Sequence, residues 1–295
     1  MSKSRHFRYL LALLAAVTLN LVACDDDDSF ATKPSAQVES SSSAKEDRSS
    51  SSVKSSSSVP SSSTESSSSR SKISSSDCGK VETGTMVDDR DDQEYKTVKI
   101  CDQVWMAENL NYDYDHGTAR SFCYNGREEN CDKYGRLYLW SAVMDSAGVF
   151  STDGIGCGVD AEECLPSIVV RGVCPEGWHV PSETEIETLL EAIGSEQSGS
   201  SWNWENAGKL LKSTSDDWKD EGIGEDAFGF TVLPAGYRGR SSYGSFGIFA
   251  SFATSTNDMW MDNHSYSLDL YSSRDYAEII STYTYEARSV RCLKN

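Results

Sequence analysis

"CPEGWHVPSETEIETLLEAIG", residues 174–194, is the stretch whose reading decides the fold. It opens on a cysteine, passes through Trp178 and His179, and runs into a segment patterned as a helix. Ser182 followed three residues on by Glu185 is a capping box, in which each side chain satisfies a backbone N–H at the helix start. Ile186, Leu189, Leu190 and Ile193 recur at the spacing of one buried helical face, and Gly194 supplies a residue that can end the helix. Neither Trp178 nor His179 has a neighbour in sequence that would make a base or a nucleophile of it. A packed Trp beside a hydrogen-bonded His is therefore expected, not a catalytic pair.

Working outward, Cys174 lies just upstream of this helix, and Cys292 lies in the closing "ARSVRCLKN", whose Ser289–Arg291 segment reads as a terminal strand. A bridge from Cys174 to Cys292 would close the domain into a loop. Of nine cysteines, setting Cys24 aside leaves eight, an even number that in an exported chain reads as disulfides. Eight cysteines allow roughly 100 pairings, so spacing alone does not settle them. "CYNGREENC" and "CGVDAEEC" are short loops that local bridges could close, giving Cys123–Cys131 and Cys157–Cys164. Cys78–Cys101 is then left by elimination. Zinc is the competing reading, but there is no close CxxC pair, and the only histidines after the leader are His116, His179 and His264.

The chain begins with Lys3, Arg5 and Arg8, an apolar run from Tyr9 to Leu19, and "LVAC" ending at Cys24. The run is shorter than the roughly 20 residues a membrane span needs, so residues 1–23 read as a cleaved export signal. Its end is similar to a bacterial lipobox, which implies that Cys24 is acylated and is the lipid-attachment residue. Four carboxylates follow in "DDDDSF", and from Ser40 to Ser76 the chain is mostly serine. Such a composition buries no core, so residues 24–77 are expected to be a disordered Ser-rich linker, a tether holding the next domain about 35 Å from the lipid. The expected location is the bacterial cell envelope, lipid-anchored, with the outer membrane preferred; acidic residues after the anchor act as sorting signals for inner-membrane retention in one bacterial lineage and for surface exposure in another, and the residues do not choose between them.

The net charge of −19 is uneven. Residues 1–77 hold nine Lys/Arg and nine Asp/Glu, leaving 18 bases against 37 acids in residues 78–295. A domain this acidic repels phosphate backbones and anionic membrane surfaces, which argues against nucleic acid as a partner. No second linker divides residues 78–295, so one domain is expected there.

Six phrases in order carry a family resemblance: "DRDDQEYKTVKI", "VWMAENLNYD", "CDKYGRLYLWSAVM", "GVCPEGWHVPSETE", "FGFTVLPAGYR" and "SVRC". Over about Val87 to Leu293 the chain resembles the Fibrobacter succinogenes major paralogous domain, exported bacterial proteins often carried on lipoprotein anchors with serine-rich linkers. The resemblance implies an α+β, C-type-lectin-like single domain with long loops and disulfides, of the sulfatase-modifying-factor fold group. In that fold an early helix and a final strand come together, which the Cys174–Cys292 bridge would fit. Two departures stand out. Ala253 in "FATST" stands where the family usually has Trp, and Cys101 stands where Gly is common. The resemblance assigns no catalytic residue.

"EYKTVKICDQVWMAENL" has the β-branched and aromatic content of paired strands, "FGFTVL" alternates Phe228, Phe230 and Val232 with smaller residues, and "GSFGIFASFATST" reads as core strand. Trp105, Tyr134, Tyr138 and Trp140 are expected in the core. Trp202, Trp204, Trp260 and Tyr266 are flanked by Gly, Ser, Asn and Asp, and are the candidates for a ligand-binding face. Against Trp204 stands the reading of "WNWENAGKLL" as an amphipathic helix packing Trp204 with Ala207 and Leu211. Asn257, Asp258, Asp262 and Asn263 lie close together and offer oxygen ligands of the kind that hold Ca²⁺, although a polar solvated loop fits them as well; no other cofactor is indicated. The expected function is non-catalytic binding of carbohydrate, a plant-wall polymer or another cell-surface ligand. The alternatives are a structural envelope protein, or an enzyme related to formylglycine-generating factors. That chemistry needs reactive cysteines, whereas each cysteine here has a partner to pair with, and "YRGRSSYG" is a faint echo of the supporting motif.

Overall fold

The paired strands form where composition places them. The computed structural model describes residues 81–158, 164, 166–199 and 202–295; the expected export signal, Cys24, the expected serine-rich linker and Cys78 lie outside the described residues. β1 (Glu82–Asp88) pairs antiparallel with β2 (Gln93–Ile100), and β2 pairs with β3 (Gln103–Met106). On β2, Tyr95, Val98 and Ile100 are buried while Glu94, Lys96 and Lys99 stay exposed, the period of two that a half-buried strand requires. Cys101 makes the β2–β3 turn at φ 52°.

A small sheet follows, from β4 (Asp115–His116), β5 (Ala119–Phe122) and β6 (Leu137–Tyr138), with helix α1 (Glu128–Tyr134) inserted before β6. Gly135 ends α1 at φ 73°; a Cβ there would stand 2.6 Å from that of Asn109, so only glycine lets the two backbones meet this closely. Helix α2 (Trp140–Val143) leads to a long irregular stretch and then to β7 (Trp178–His179).

Helix α3 (Glu183–Ala192) begins as its sequence dictates. Ser182 Oγ accepts from Glu185 N, and Glu185 Oε2 accepts from Ser182 N at 2.8 Å, which completes the capping box. Ile186, Leu189, Leu190 and Ile193 are all buried, and Gly194 follows at φ 79°. After it come β8 (Asn203–Trp204), α4 (Ala207–Leu211), the short pair β9 (Tyr237–Arg238) and β10 (Tyr243–Gly244), and the long strands β11 (Phe249–Asn257), β12 (His264–Tyr271) and β13 (Ala277–Tyr283). The last strand is β14 (Leu293–Lys294).

Two antiparallel sheets dominate, in the orders β1-β2-β3-β14-β7 and β11-β12-β13-β8. The apolar face of α3 joins Leu268, Leu270 and Ile279 of the second sheet in one core with Trp105, Phe230 and Phe252. Each large apolar side chain buried there contributes about 1.5–3 kcal/mol. A second cluster gathers Met106, Tyr114, Tyr138, Trp140 and the Cys174–Cys292 bridge, with Ala253 buried among them. Trp105, Tyr134, Tyr138 and Trp140 are all buried, as expected. The domain is mixed α and β, mostly sheet with few helices.

Two expected strands are corrected. "FGFTVL" is not a strand, because Gly229 (φ 67°) and Thr231 (φ 52°) take the left-handed conformation and break the extended path. Asp226 holds this turn, accepting from Thr231 N and Oγ1 at 2.7 Å each. The terminal strand lies at Leu293–Lys294, not Ser289–Arg291. In the earlier segment each residue meets a different neighbour. Ala287 bridges to Arg238, Arg288 to Tyr138 and Ser289 to Phe252, while Val290 O accepts from Leu110 N and Cys292 O from Met106 N.

Cys123–Cys131, Cys157–Cys164 and Cys174–Cys292 are disulfides, the last with Cα atoms 5.9 Å apart. Cys101 is also disulfide-bonded; its expected partner Cys78 lies outside the described residues.

Candidate functional site

The Trp-His pair is a clasp. Trp178 and His179 are both buried, and Leu293 and Lys294 pair with them across β14 and β7. His179 Nδ1 lies 2.6 Å from Asn295 Oδ1, and Nε2 lies 3.0 Å from Glu185 Oε1. Burial alone would depress the imidazole, but its hydrogen bonds to Glu185 and Asn295 raise it above its ordinary value. Burial likewise opposes the Glu185 carboxylate, and hydrogen bonds from His179 and Ser182 outweigh it and hold Glu185 below its ordinary value. Both ring nitrogens are engaged, so His179 ties the helix start to the chain end.

The surface is different at the far end of the second sheet. Between β11 and β12 the chain makes a loop whose tip exposes Met259, Trp260 and Met261, with Trp260 89% exposed. The loop is pinned at its base. Asp258 Oδ1 accepts from Trp260 N at 2.8 Å, Asp258 Oδ2 accepts from Ser281 Oγ at 2.6 Å, and Asp258 N donates to His264 O. Beside it runs a ladder of rings: Arg240 lies over Tyr285, Tyr285 stacks on Tyr283 at 4.7 Å, and Tyr283 meets His264 at 4.3 Å. In this ladder the ring faces cover one another, whereas a ligand that stacks needs an uncovered face. Trp260 offers one.

The structure divides the four aromatic candidates. Trp260 and Trp202 are exposed, the latter by 55%. Trp204 is corrected: it is 4% exposed and packs in the core with Ala207 and Leu211. It does so from β8, whose pairing of Trp204 with Ala277 turns the indole inward; the helix starts only at Ala207. Tyr266 is partly buried against the same core, and burial, then the charges of Asp258 and Glu183, hold its phenol above its ordinary value. Tyr266 faces Ser281 across β12 and β13, and Asp258 is bonded to that same Ser281, so Tyr266 and Asp258 lie together at the base of the tip. Trp202 O accepts from Ile279 N, which places Trp202 four residues back along β13 from Tyr283, about 13 Å of strand.

Of the residues considered for calcium, Asp258 has both oxygens engaged as above, and Asn263, at φ 57°, has its carbonyl accept from Thr284 N and Oγ1. Asp262 is exposed, with its carbonyl 2.7 Å from His264 Nδ1, and Asn257 ends β11. The one trio of His, Cys, Asp or Glu that converges among the described residues is Cys123, Glu128 and Cys131, and its two sulfurs are joined in a disulfide.

Sequence reasoning missed a cleft of about 280 Å³ where the motifs quoted above meet. Its lining includes Lys96, Asn109, Tyr134, Thr231 and Arg291, drawn from five of the six motifs. Arg291 is buried at its floor, with Nε donating to Asn109 Oδ1, Nη2 to Thr231 O and Nη1 to Phe230 O. Asn109 Nδ2 in turn donates to Tyr134 O. The motif order was the available signal, and what these motifs build at this point is a structural lock.

Comparison with curated proteins and with solved structures finds no match. The Fibrobacter succinogenes major domain matches residues 98–294. That span takes in β3 through β14, both cores and the exposed tryptophans, so the chain belongs to the Fibrobacter succinogenes major domain family.

Proposed function

We propose that this is a lipid-anchored envelope protein whose tethered domain binds an extracellular polymer, carbohydrate of cell-surface or plant-wall type, without catalysis. The observation that carries the reading is Trp260, 89% exposed at the tip of a loop whose base is fixed by Asp258. An aromatic ring carried into solvent on a hydrogen-bonded loop has no packing role, and stacking against the apolar side of a pyranose is a use for it. Trp202 and Tyr266 add two further rings along the same sheet, and the Tyr266 phenol adds a hydrogen-bonding group. The acidic balance of residues 78–295 speaks for a neutral or cationic ligand over nucleic acid. The fold is read as C-type-lectin-like, supported by the joining of α3 and the final strand through the Cys174–Cys292 bridge. A non-catalytic role is supported by the pairing of each described cysteine in a disulfide.

The test is retention of the full-length chain, purified in detergent, on cellulose, xylan and a glycan array, beside Trp260→Ala and Trp202→Ala. Truncating a stacking Trp should weaken binding about tenfold or more, with the melting temperature unchanged because both side chains are exposed. Absence of retention on every polymer would favour a structural envelope role; retention untouched by both substitutions would mean a different face. The tip is held by side-chain hydrogen bonds, so the domain is proposed to keep its shape without calcium, and a melting temperature moved by millimolar calcium or by chelator would overturn that.

A further inference from the structure

The hairpin of β9 and β10 carries two arginines, Arg238 in its first strand and Arg240 in its turn. Residues 78–295 hold 37 acids against 18 bases, yet among the described residues neither arginine is in an ion pair. Acids close by in the fold are engaged elsewhere: Glu286, beside Tyr285, by Arg288, and Asp115 by Arg120. The two guanidinium groups lie on rings instead. Arg238 stands 3.9 Å over Phe122 with Tyr243 at 5.8 Å, and Arg240 stands 4.0 Å over Tyr285. Arg120 lies 5.9 Å from the same Phe122 ring, a third positive charge at this edge. Arg238 is half-buried and Arg240 is exposed.

A guanidinium that rests its face on a ring is oriented by that contact and keeps its edge N–H groups for an acceptor. Arg238 donates one of them to Gly239 O at 3.3 Å, and among the described residues Arg240 donates none. The fork of donors left over matches the two oxygens of a carboxylate. The closing segment ties both arginines to one place, since Arg238 bridges to Ala287 and the ring under Arg240 lies two residues before it. From Tyr285 the rings run on to Tyr283 and His264, and His264 O accepts from Asp258 N at the base of the Trp260 loop. A polymer held at Trp260 can therefore follow the ladder to the hairpin. The charge of the whole domain opposes a polyanion, but charges beyond about 8–10 Å are screened at physiological salt, so for one carboxylate on a neutral chain the local arginines decide.

We infer that Arg240 and Arg238 bind the carboxylate of an acidic sugar carried on an otherwise neutral polymer. The inference rests on the polymer-binding reading, names a ligand class within it and adds a site separate from Trp260. The test uses the full-length chain in detergent at pH 7, where the sugar acid is ionised. It is titrated calorimetrically with xylan oligomers bearing one glucuronic acid, the methyl ester of the same oligomers, unsubstituted xylan oligomers and sodium sulfate alone. Charge-assisted hydrogen bonds should make the free acid bind about tenfold tighter than the ester or the unsubstituted oligomer, and added salt should shrink that preference. Arg240→Gln should abolish most of the preference and Arg240→Lys should restore only part of it, because the fork is lost while the charge remains. The melting temperature should stay unchanged in both, since Arg240 is exposed. Equal affinity for acid and ester, a preference untouched by both Arg240→Gln and Arg238→Gln, or sulfate alone binding as tightly as the acidic oligomer would overturn the inference. If neutral oligomers bind and are lost in Trp260→Ala while no acid preference is seen, the arginine site fails and the tip reading stands. If the acid preference depends on Arg240 and Trp260→Ala changes nothing on any oligomer, the tip reading fails alone. Binding of none of them would overturn both.

Discussion

Asp269 sits in the middle of β12 with its carboxylate fully enclosed, accepting from Ser251 Oγ at 2.5 Å and Ser267 Oγ at 2.9 Å. Burial pushes it up to about 6, against the lowering effects of Arg288 and the two serines. A carboxyl whose folded value is raised stabilises the fold fully below the ordinary carboxylate range, and that contribution is lost as pH rises through about 6. Asp269→Asn, which mimics the protonated form, should therefore stabilise the domain by about 1–3 kcal/mol at pH 7 and by much less at pH 4. Urea denaturation at the two pH values checks this, and a loss of stability at pH 7 would show that the charge is needed. The His179–Glu185 pair behaves differently. The raised imidazole loses its contribution as pH rises above its ordinary range, and the lowered carboxylate loses its own as pH falls. His179→Gln should flatten the decline of stability above about pH 6.5. The local half of this was legible, since Ser182 and Glu185 are three residues apart. Of the partners of Asp269, Ser267 lies two residues away on the same strand, but Ser251 comes from β11 and Arg288 from the closing segment, and no spacing announces those two.

Helix α3 and the β11–β12 loop show what an element's sequence does and does not disclose. The capping box, the buried face of Ile186, Leu189, Leu190 and Ile193, and the terminating Gly194 are interactions within one turn or two, so sequence alone places them. Ser182→Ala should cost about 1 kcal/mol, read from the denaturation midpoint, and a neutral result would mean that packing alone sets the helix start. "FGFTVL" misleads for the opposite reason. Its alternation is real, with Phe230 and Val232 buried, but Asp226 bends the backbone at Thr231 and the buried side chains come from an irregular path. The loop tip lies between. Its polar setting marked Trp260 as exposed, yet the pinning of Asp258 to Ser281 depends on strand register. Asp258→Ala removes two hydrogen bonds to a charged group and should cost about 2 kcal/mol or more. Under the proposed function it should also weaken polymer retention as Trp260→Ala does, and retention at wild-type strength on a loosened loop would separate rigidity from binding.

For the whole molecule, the closing segment from Ala287 to Asn295 joins elements that the rest of the chain leaves apart. It contacts β9, β6, β11 and β3 in turn and then pairs with β7, and Arg291 fixes the Asn109 and Thr231 loops from within. Cys292 adds a covalent tie to Cys174, 118 residues away in sequence. Such a bridge restricts the unfolded chain, and for a loop of this length the entropy model gives about 4–5 kcal/mol. That is a large share of a typical domain's 5–15 kcal/mol. The bridge is also fully buried, so it should resist mild reductant until the domain opens. Cys174→Ala with Cys292→Ala should thus lower the stability of the folded domain by several kcal/mol, whereas Cys157→Ala with Cys164→Ala, which opens a loop of sequence separation 7, should cost less. Side-by-side denaturation of the two double variants, with non-reducing peptide mapping of the parent, measures the difference. If the short-loop variant proved the less stable of the two, closure by the final segment would not be what holds this fold together, and the Arg291 lock would have to carry that role.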